Sequence, residues 1–161
     1  MKPIVKYQGG KTKELKRIVP LLPEYTRMVE PFAGGAAVAF NQEKDMWLND
    51  INTSLINLYR VVASDMYYDL QGAIAPLYSM GHDDLSREFY LSQGHHDLLS
   101  GATVTLSSAV DVINDSVEGD FLFIDPPYMD RAGYTNGDGG DLHVDLHSAL
   151  SDADSPWMIV H

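Results

Sequence analysis

The sequence predicts an α/β domain, and three observations carry that expectation. Apolar strand-like runs alternate with helix-like stretches along all 161 residues. The run Thr26-Arg27-Met28-Val29-Glu30 leads through a small-residue loop into an Ala-rich helix, which is the first half of a nucleotide-binding unit. A later run, Phe121-Leu122-Phe123-Ile124, goes straight into Asp125-Pro126-Pro127-Tyr128. Proline has no N–H for a sheet ladder, so that strand must stop at Asp125. The residue before a proline is held out of the helical region, so Asp125 and Pro126 stay extended. A carboxylate, an open carbonyl and an aromatic ring are thus displayed on one stiff turn at a strand's C-terminal end. In open α/β sheets that edge binds ligands.

Taken in order, Ile4 to Thr12 read as an extended piece, a turn at Gly9-Gly10 and a helix start at Lys11. The helix is expected to run to about Ile18 and stop near Pro20 and Pro23. Gly10-Lys11-Thr12 has the end of an ATPase phosphate loop but not its beginning, because Val5 stands where that loop needs glycine. Backbone N–H groups and the Lys11 ammonium would still seat an anion there, although a plain turn explains the same residues. After the first strand, Pro31-Phe32-Ala33-Gly34-Gly35 lets backbone approach a ligand closely, and Ala36 to Phe40 lets a helix pack tightly on the sheet.

The second strand, Asp45-Met46-Trp47-Leu48-Asn49-Asp50, ends in an acid, the position that holds ribose hydroxyls in dinucleotide folds. Asp50 would otherwise cap the next helix, which follows Ile51-Asn52 at Thr53. Residues 65–93 predict two more helices, broken around Pro76 and Gly81. His95-His96 beside Asp97 reads as a solvated loop, since adjacent side chains diverge on either a helix or a strand. His143 and His147 share a helix face with no third ligand, so no metal site is expected. Thr103 to Ser107 is a third strand, Ala109 to Asn114 a short helix, and Phe121 to Asp125 the fourth strand. A polar stretch at 129–140 has the composition of a lid, a helix runs from Asp141 to about Leu150, and Trp157 to His161 is a fifth strand.

Composition narrows the class. The length suits one domain with a real core. No apolar run is long enough to span a bilayer, the N-terminus lacks a signal-peptide core, and there is no cysteine. Disulfides and thiolate metal sites are excluded, and a soluble intracellular protein is expected. The net charge of −12 is unevenly spread, with seven Lys/Arg against three Glu in residues 1–31 and an acidic remainder. A polyanion would have to meet the N-terminal face. The same numbers also describe an ordinary acidic, soluble surface.

The chemistry suited to the Asp125 turn is methyl transfer to an amino group conjugated with a ring. Such a nitrogen is a poor nucleophile because its lone pair is delocalised. Asp125 and the Pro126 carbonyl would each accept an N–H and favour a tetrahedral nitrogen, while Tyr128 stacks on the ring. The bland reading is a strand ended by a Pro-Pro turn with a capping aspartate.

Gly9-Gly10-Lys11, then Glu30-Pro31-Phe32-Ala33-Gly34-Gly35 with Asp50, then Asp125-Pro126-Pro127-Tyr128 occur in one order. In that combination the chain resembles the Dam-like DNA adenine-N6 methyltransferases. The resemblance implies a doubly wound, mostly parallel sheet with helices on both faces, the Rossmann-like methyltransferase fold. It implies S-adenosylmethionine as methyl donor, with Tyr7 and Lys11 at the donor site, Glu30 to Gly35 around its methionine part and Asp50-Ile51 at its ribose. It makes Asp125, Pro126, Pro127 and Tyr128 the catalytic turn and a flipped adenine in DNA the acceptor, in the cytoplasm of a bacterial cell or a phage-infected host. Family members also carry a target-recognition region between the second and fourth strands and a hairpin after the fifth. Here Leu91 to Ser100 runs almost directly into strand three, and the sequence ends at His161. The expectation is one catalytic domain over 1–161 with a small helical insertion at about 65–100, truncated after the fifth strand. A relative that binds without turnover, or one acting on a cytosine amine or a protein glutamine, is the competing expectation.

Overall fold

In the computed structural model, which describes residues 1–79, 90–127 and 142–160, the predicted strands all form. They are β1 (Arg27–Glu30), β2 (Asp45–Asn49), β3 (Thr103–Thr105), β4 (Asp120–Ile124) and β5 (Trp157–Ile159). All pair in parallel, in the order β3-β2-β1-β4-β5. The described helices are α1 (Leu15–Ile18), α2 (Ala37–Gln42), α3 (Thr53–Ala63), α4 (Met66–Ser79), α5 (Gln93–Ser100), α6 (Ala109–Asn114) and α7 (Leu142–Asp152). Tyr128, the polar stretch 129–140, the break at Gly81 and residue 161 lie outside the described residues.

Strand residues alternate between two cores because successive side chains leave opposite faces of a sheet. Met28, Met46, Leu48, Phe121 and Phe123 pack on one side with Phe40, Ile56, Tyr59 and Leu99 from α2, α3 and α5. Val29, Trp47, Leu122 and Ile124 pack on the other with Val112, Ile113, Leu142 and Leu146 from α6 and α7. Helices therefore cover both faces, and the near-continuous apolar runs of β1 and β4 follow from that double burial. The sheet is doubly wound: the chain moves outward from β1 through β2 to β3, then returns to lay β4 on the other side of β1. That reversal opens a crevice at the C-terminal ends of β1 and β4.

At the opposite end of the same strands, Arg27 and Asp120 stand directly across from each other. Nε and one terminal nitrogen of Arg27 donate to the two carboxylate oxygens of Asp120 at 2.8 and 2.7 Å, and the guanidinium lies 5.2 Å from the Trp47 ring centroid. Arg27 is thereby removed from the N-terminal positive balance.

Three local expectations need correction. The predicted helix from Lys11 to Ile18 is a 3-10 turn (Lys11–Lys13) followed by α1, and the winding continues as another 3-10 turn through Pro20. Proline fits there because it stands in the first turn, where its missing N–H would have had no partner. Helix α4 does not break at Pro76 but runs through it. The proline ring presses on the carbonyl four residues back, which belongs to Gly72, an exposed glycine with open space where a Cβ would stand. That turn can open to solvent.

The third correction concerns His95 and His96, which lie in α5 and not in a solvated loop. His95 is fully buried: Nδ1 accepts from the Ser92 N–H at 3.1 Å, and Nε2 donates to the Lys2 carbonyl at 2.7 Å. Burial lowers its pKa, in keeping with the neutral ring this bonding requires. His96 meets the Val62 carbonyl at 2.8 Å and stacks on Tyr67. His95 thus ties α5 to the N-terminal segment, and His96 ties it to α3 and α4.

Candidate active site

A cavity of about 350 Å³ occupies the crevice where the winding reverses. Its walls come from the Tyr7–Lys11 turn, the loop after β1, the end of β2 and the turn after β4. Four stretches of the sequence are thus brought to one place. Gln8, Ala37, Val38 and Phe123 also line it, although the sequence marked none of them as a site residue. Pro31 does not line the cavity; it is buried, and its carbonyl accepts from Asn49 at 3.0 Å.

The glycines of the loop serve the protein as much as any ligand. Gly34 has φ +46°, and a Cβ there would stand 2.9 Å from the Tyr7 ring. A Cβ on Gly35 would come 3.3 Å from Tyr7 Cβ. Tyr7 therefore lies over the loop because both positions lack side chains. Gly9 supplies the turn that delivers Tyr7 and Lys11: its φ is +81°, and the Gly10 N–H closes onto the Tyr7 carbonyl at 3.1 Å. Phe32 and Ala33 complete the wall beneath, and the Ala33 N–H donates to the Asn49 carbonyl at 2.8 Å.

Asp50 braces this loop. One of its oxygens accepts the Gly34 N–H at 2.9 Å and the other the Asn52 N–H at 2.9 Å. The helix-capping alternative for Asp50 is excluded, because Asn52 caps α3 by accepting the Leu55 N–H at 3.2 Å. Tyr59 holds the loop from below, its hydroxyl donating to the Gly34 carbonyl at 2.5 Å. Asp50 still faces the cavity with lone pairs to spare, and Ile51 stands exposed on the rim beside it. If this is the ribose position, Asp50→Ala removes both an outside acceptor and a loop brace. Donor affinity measured by calorimetry is expected to fall roughly ten- to a hundredfold, the worth of one charged hydrogen bond. An unchanged affinity removes the ribose assignment.

At the heart of the site, the Lys11 ammonium lies 2.7 Å from Asp125 Oδ1 and 3.2 Å from the Gly9 carbonyl. Lys11 is only 4 % exposed. The Lys11 charge that the anion-seat reading of Gly9-Gly10-Lys11 uses is turned inward onto a carboxylate of this chain. Pro126 is buried and Pro127 half-buried on the same turn.

Glu30, at the end of β1, is 3 % exposed and accepts the Ala39 N–H at 2.8 Å. Burial pushes its carboxyl up to about 8, against the effect of that N–H, and the nearby Asp125 adds to the rise. Glu30 is thus mostly protonated at neutral pH.

The buried Asn49 carried no sequence signal beyond its place in a strand. Its amide donates to the Pro31 and Ser107 carbonyls, each at 3.0 Å. Its oxygen accepts from Thr105 Oγ1 at 2.8 Å and from the Ser107 N–H and hydroxyl at 3.0 Å. One side chain thereby joins the ends of β2 and β3 to the glycine loop.

Residues 7–97 match the family model for D12 class N6 adenine-specific DNA methyltransferases. The chain belongs to this family. The matched D12 segment contains the Tyr7–Lys11 turn, the glycine loop and Asp50. Over 68 residues the D12 chain is 48 % identical to the Type II methyltransferase M.CviBI of Paramecium bursaria Chlorella virus NC1A, a match covering 40 % of this chain and 26 % of that protein. It is 29 % identical to the DNA N-6-adenine-methyltransferase of Escherichia phage P1, with 93 % of this chain and 28 % of the relative covered. The Retron Ec67 DNA adenine methylase of Escherichia coli is 42 % identical over 66 residues, 40 % of this chain and 23 % of that protein. The chain spans about a quarter of the length of these curated relatives.

Proposed function

We propose that this D12-family chain transfers a methyl group from S-adenosylmethionine to N6 of adenine in DNA. The observation that carries the reading is Asp125, displayed at the switch-point crevice on a Pro-Pro turn and gripped by a buried lysine 2.7 Å away. The cavity fits the donor in size and charge. Its volume, about 350 Å³, lies in the range of small-molecule sites. Lys11 is balanced by Asp125, which leaves Asp50 and the ionisable Glu30 on the wall where a sulfonium must bind. Tyr7, the Gly9-Gly10 turn, the loop from Glu30 to Gly35 and the Asp50-Ile51 rim would hold the donor.

Lys11 pins Oδ1 of Asp125, which fixes the carboxylate plane. Asp125 then accepts one N–H of the adenine amine and the Pro126 carbonyl the other, drawing the nitrogen lone pair out of conjugation. The lone pair forms the new N–C bond, the C–S electron pair remains on sulfur, and the proton the nitrogen loses passes to water by way of Asp125. The donor supplies an already activated methyl, so the chain contributes position and electrostatics. Adenine in a duplex cannot reach Asp125, so the base must be flipped, and Tyr128 is assigned to its ring face. Such an enzyme works where DNA is present, in the cytoplasm of a bacterial cell or a phage-infected host.

Incubation with DNA and methyl-labelled donor, followed by digestion to nucleosides, tests the reaction. Label in N6-methylated deoxyadenosine is expected. Label in N4-methylated cytosine, in protein glutamine, or nowhere overturns it.

DNA binding makes a second demand on the structure. Lys11 and Arg27 are committed to internal carboxylates, so the N-terminal region offers Lys2, Lys6, Lys13, Lys16 and Arg17 as exposed cations. DNA affinity is therefore expected to fall with salt, with a logarithmic slope no steeper than about −4.5 from these five. Binding insensitive to salt, or none at low salt, counts against DNA as the substrate.

A further inference from the structure

Glu30 has a feature that donor binding alone does not use. It forms part of the cavity wall although it is 3 % exposed, and its Oε1 is fixed by the Ala39 N–H. Among the described residues lining the cavity Lys11 is the cation, and its charge is bound to Asp125. Glu30 has no ion-pair partner among the described residues. A buried acid without a counterion responds strongly to a positive charge placed in the same cavity.

The donor and its spent product differ by one methyl and one positive charge on sulfur. A methyl alone gives a pocket little to discriminate with. The charge gives much more.

We infer that Glu30 distinguishes the cationic methyl donor from its neutral product, losing its proton when the sulfonium is present and regaining one when the methyl has gone. This rests on the donor reading above. Each turnover then exchanges a buried ion pair for a neutral acid beside a neutral thioether, and the spent product is released more readily. The groups facing Glu30 leave it free to titrate in this way. Asp125 is paired with Lys11, and Asp50 holds backbone N–H groups at the cavity rim. The phenols of Tyr25 and Tyr59 are pushed above their usual range, mainly by burial, Tyr25 to about 12. Both stay neutral between pH 6 and 9. Glu30 itself, raised by burial to about 8, changes charge inside that window.

The test is calorimetry of S-adenosylmethionine and S-adenosylhomocysteine with the full chain from about pH 6 to about pH 9, in wild type and Glu30→Gln. Both compounds carry the same amino-acid end, so the ratio of their dissociation constants largely cancels its titration. In wild type the preference for the methylated donor is expected to grow roughly tenfold with rising pH, which corresponds to a one-unit difference in the Glu30 pKa between the two complexes. Below pH 8 donor binding is expected to release protons, seen as a dependence of the heat on the buffer. Glu30→Gln, which keeps an acceptor for Ala39, is expected to show a flat ratio. A pH-independent ratio in wild type overturns the inference, and so does an unaltered slope in Glu30→Gln. Should Glu30→Gln fail to fold, Glu30→Asp takes its place: a retained slope with a displaced midpoint supports the inference, and an unmoved midpoint overturns it. If neither compound binds at any pH, the donor reading itself falls, and this inference with it.

Discussion

Replacing Asp125 with alanine is expected to lower methyl transfer by a hundred- to a thousandfold, the usual effect of removing a preorganised electrostatic group from a reacting centre. Donor affinity should change only a few-fold, because the hydrogen bond from the amine to Asp125 strengthens as the nitrogen leaves conjugation. The structure complicates a simple reading of that loss. Lys11 is 4 % exposed and depends on Asp125 for its counter-charge. Alanine at 125 strands a buried ammonium, and breaking such a pair costs about 3 kcal/mol even after allowing for the partial exposure of Asp125. Inactivity could then come from a weakened fold. The double variant Asp125→Ala/Lys11→Met separates the two causes, since it removes the orphaned charge as well. It should recover most of the thermal stability and none of the turnover. Activity at the parent rate in Asp125→Ala would mean that the turn merely ends a strand. Recovery of turnover in the double variant would assign the defect to folding.

The parts of this molecule that the sequence made legible are those written locally. The apolar run into Asp125-Pro126-Pro127 marks a strand end because proline acts on its immediate neighbours, and β4 ends at Ile124, one residue before the expected stop at Asp125. The glycine loop and Asp50 were legible for the same reason. The pairing of Lys11 with Asp125 was not, because it joins residues 114 positions apart and only the sheet order brings them together. Lys11 carries a motif signature that says it matters, yet nothing local says which charge it meets. His95 failed in the opposite direction. Its neighbours suggested a polar loop, and only tertiary contacts with Lys2 and Phe40 account for its complete burial. Pro76 was misread because proline in a helix interior sets a cost and not an absolute stop, and α4 runs through it.

Asn49 is the sharpest case of a residue invisible in sequence and central in structure, and its replacement should have the largest effect on stability. Both amide hydrogens and the carbonyl oxygen are used, so Asn49→Ala leaves the Pro31 and Ser107 carbonyls, the Ser107 N–H and two hydroxyls without this partner. Some of these groups can turn to water at the rim. The Pro31 carbonyl cannot do so easily, because Pro31 is itself buried. Each stranded buried group costs about 1–3 kcal/mol, and members of one network fail together. The expected loss is about 3–5 kcal/mol, or roughly 6–20 °C in Tm for a domain of this size. Thr105→Val serves as the measure of a single member of the network. It removes one hydroxyl that joins Asn49 to the Trp47 indole and should cost only about 1 kcal/mol. Asn49→Ala should also weaken the donor, because the Pro31 anchor holds the start of the glycine loop. Denaturant unfolding of both variants decides the matter. If Asn49→Ala loses no more than Thr105→Val, the network does not act as a unit, and the rigidity of the loop must come from Asp50 and Tyr59 alone.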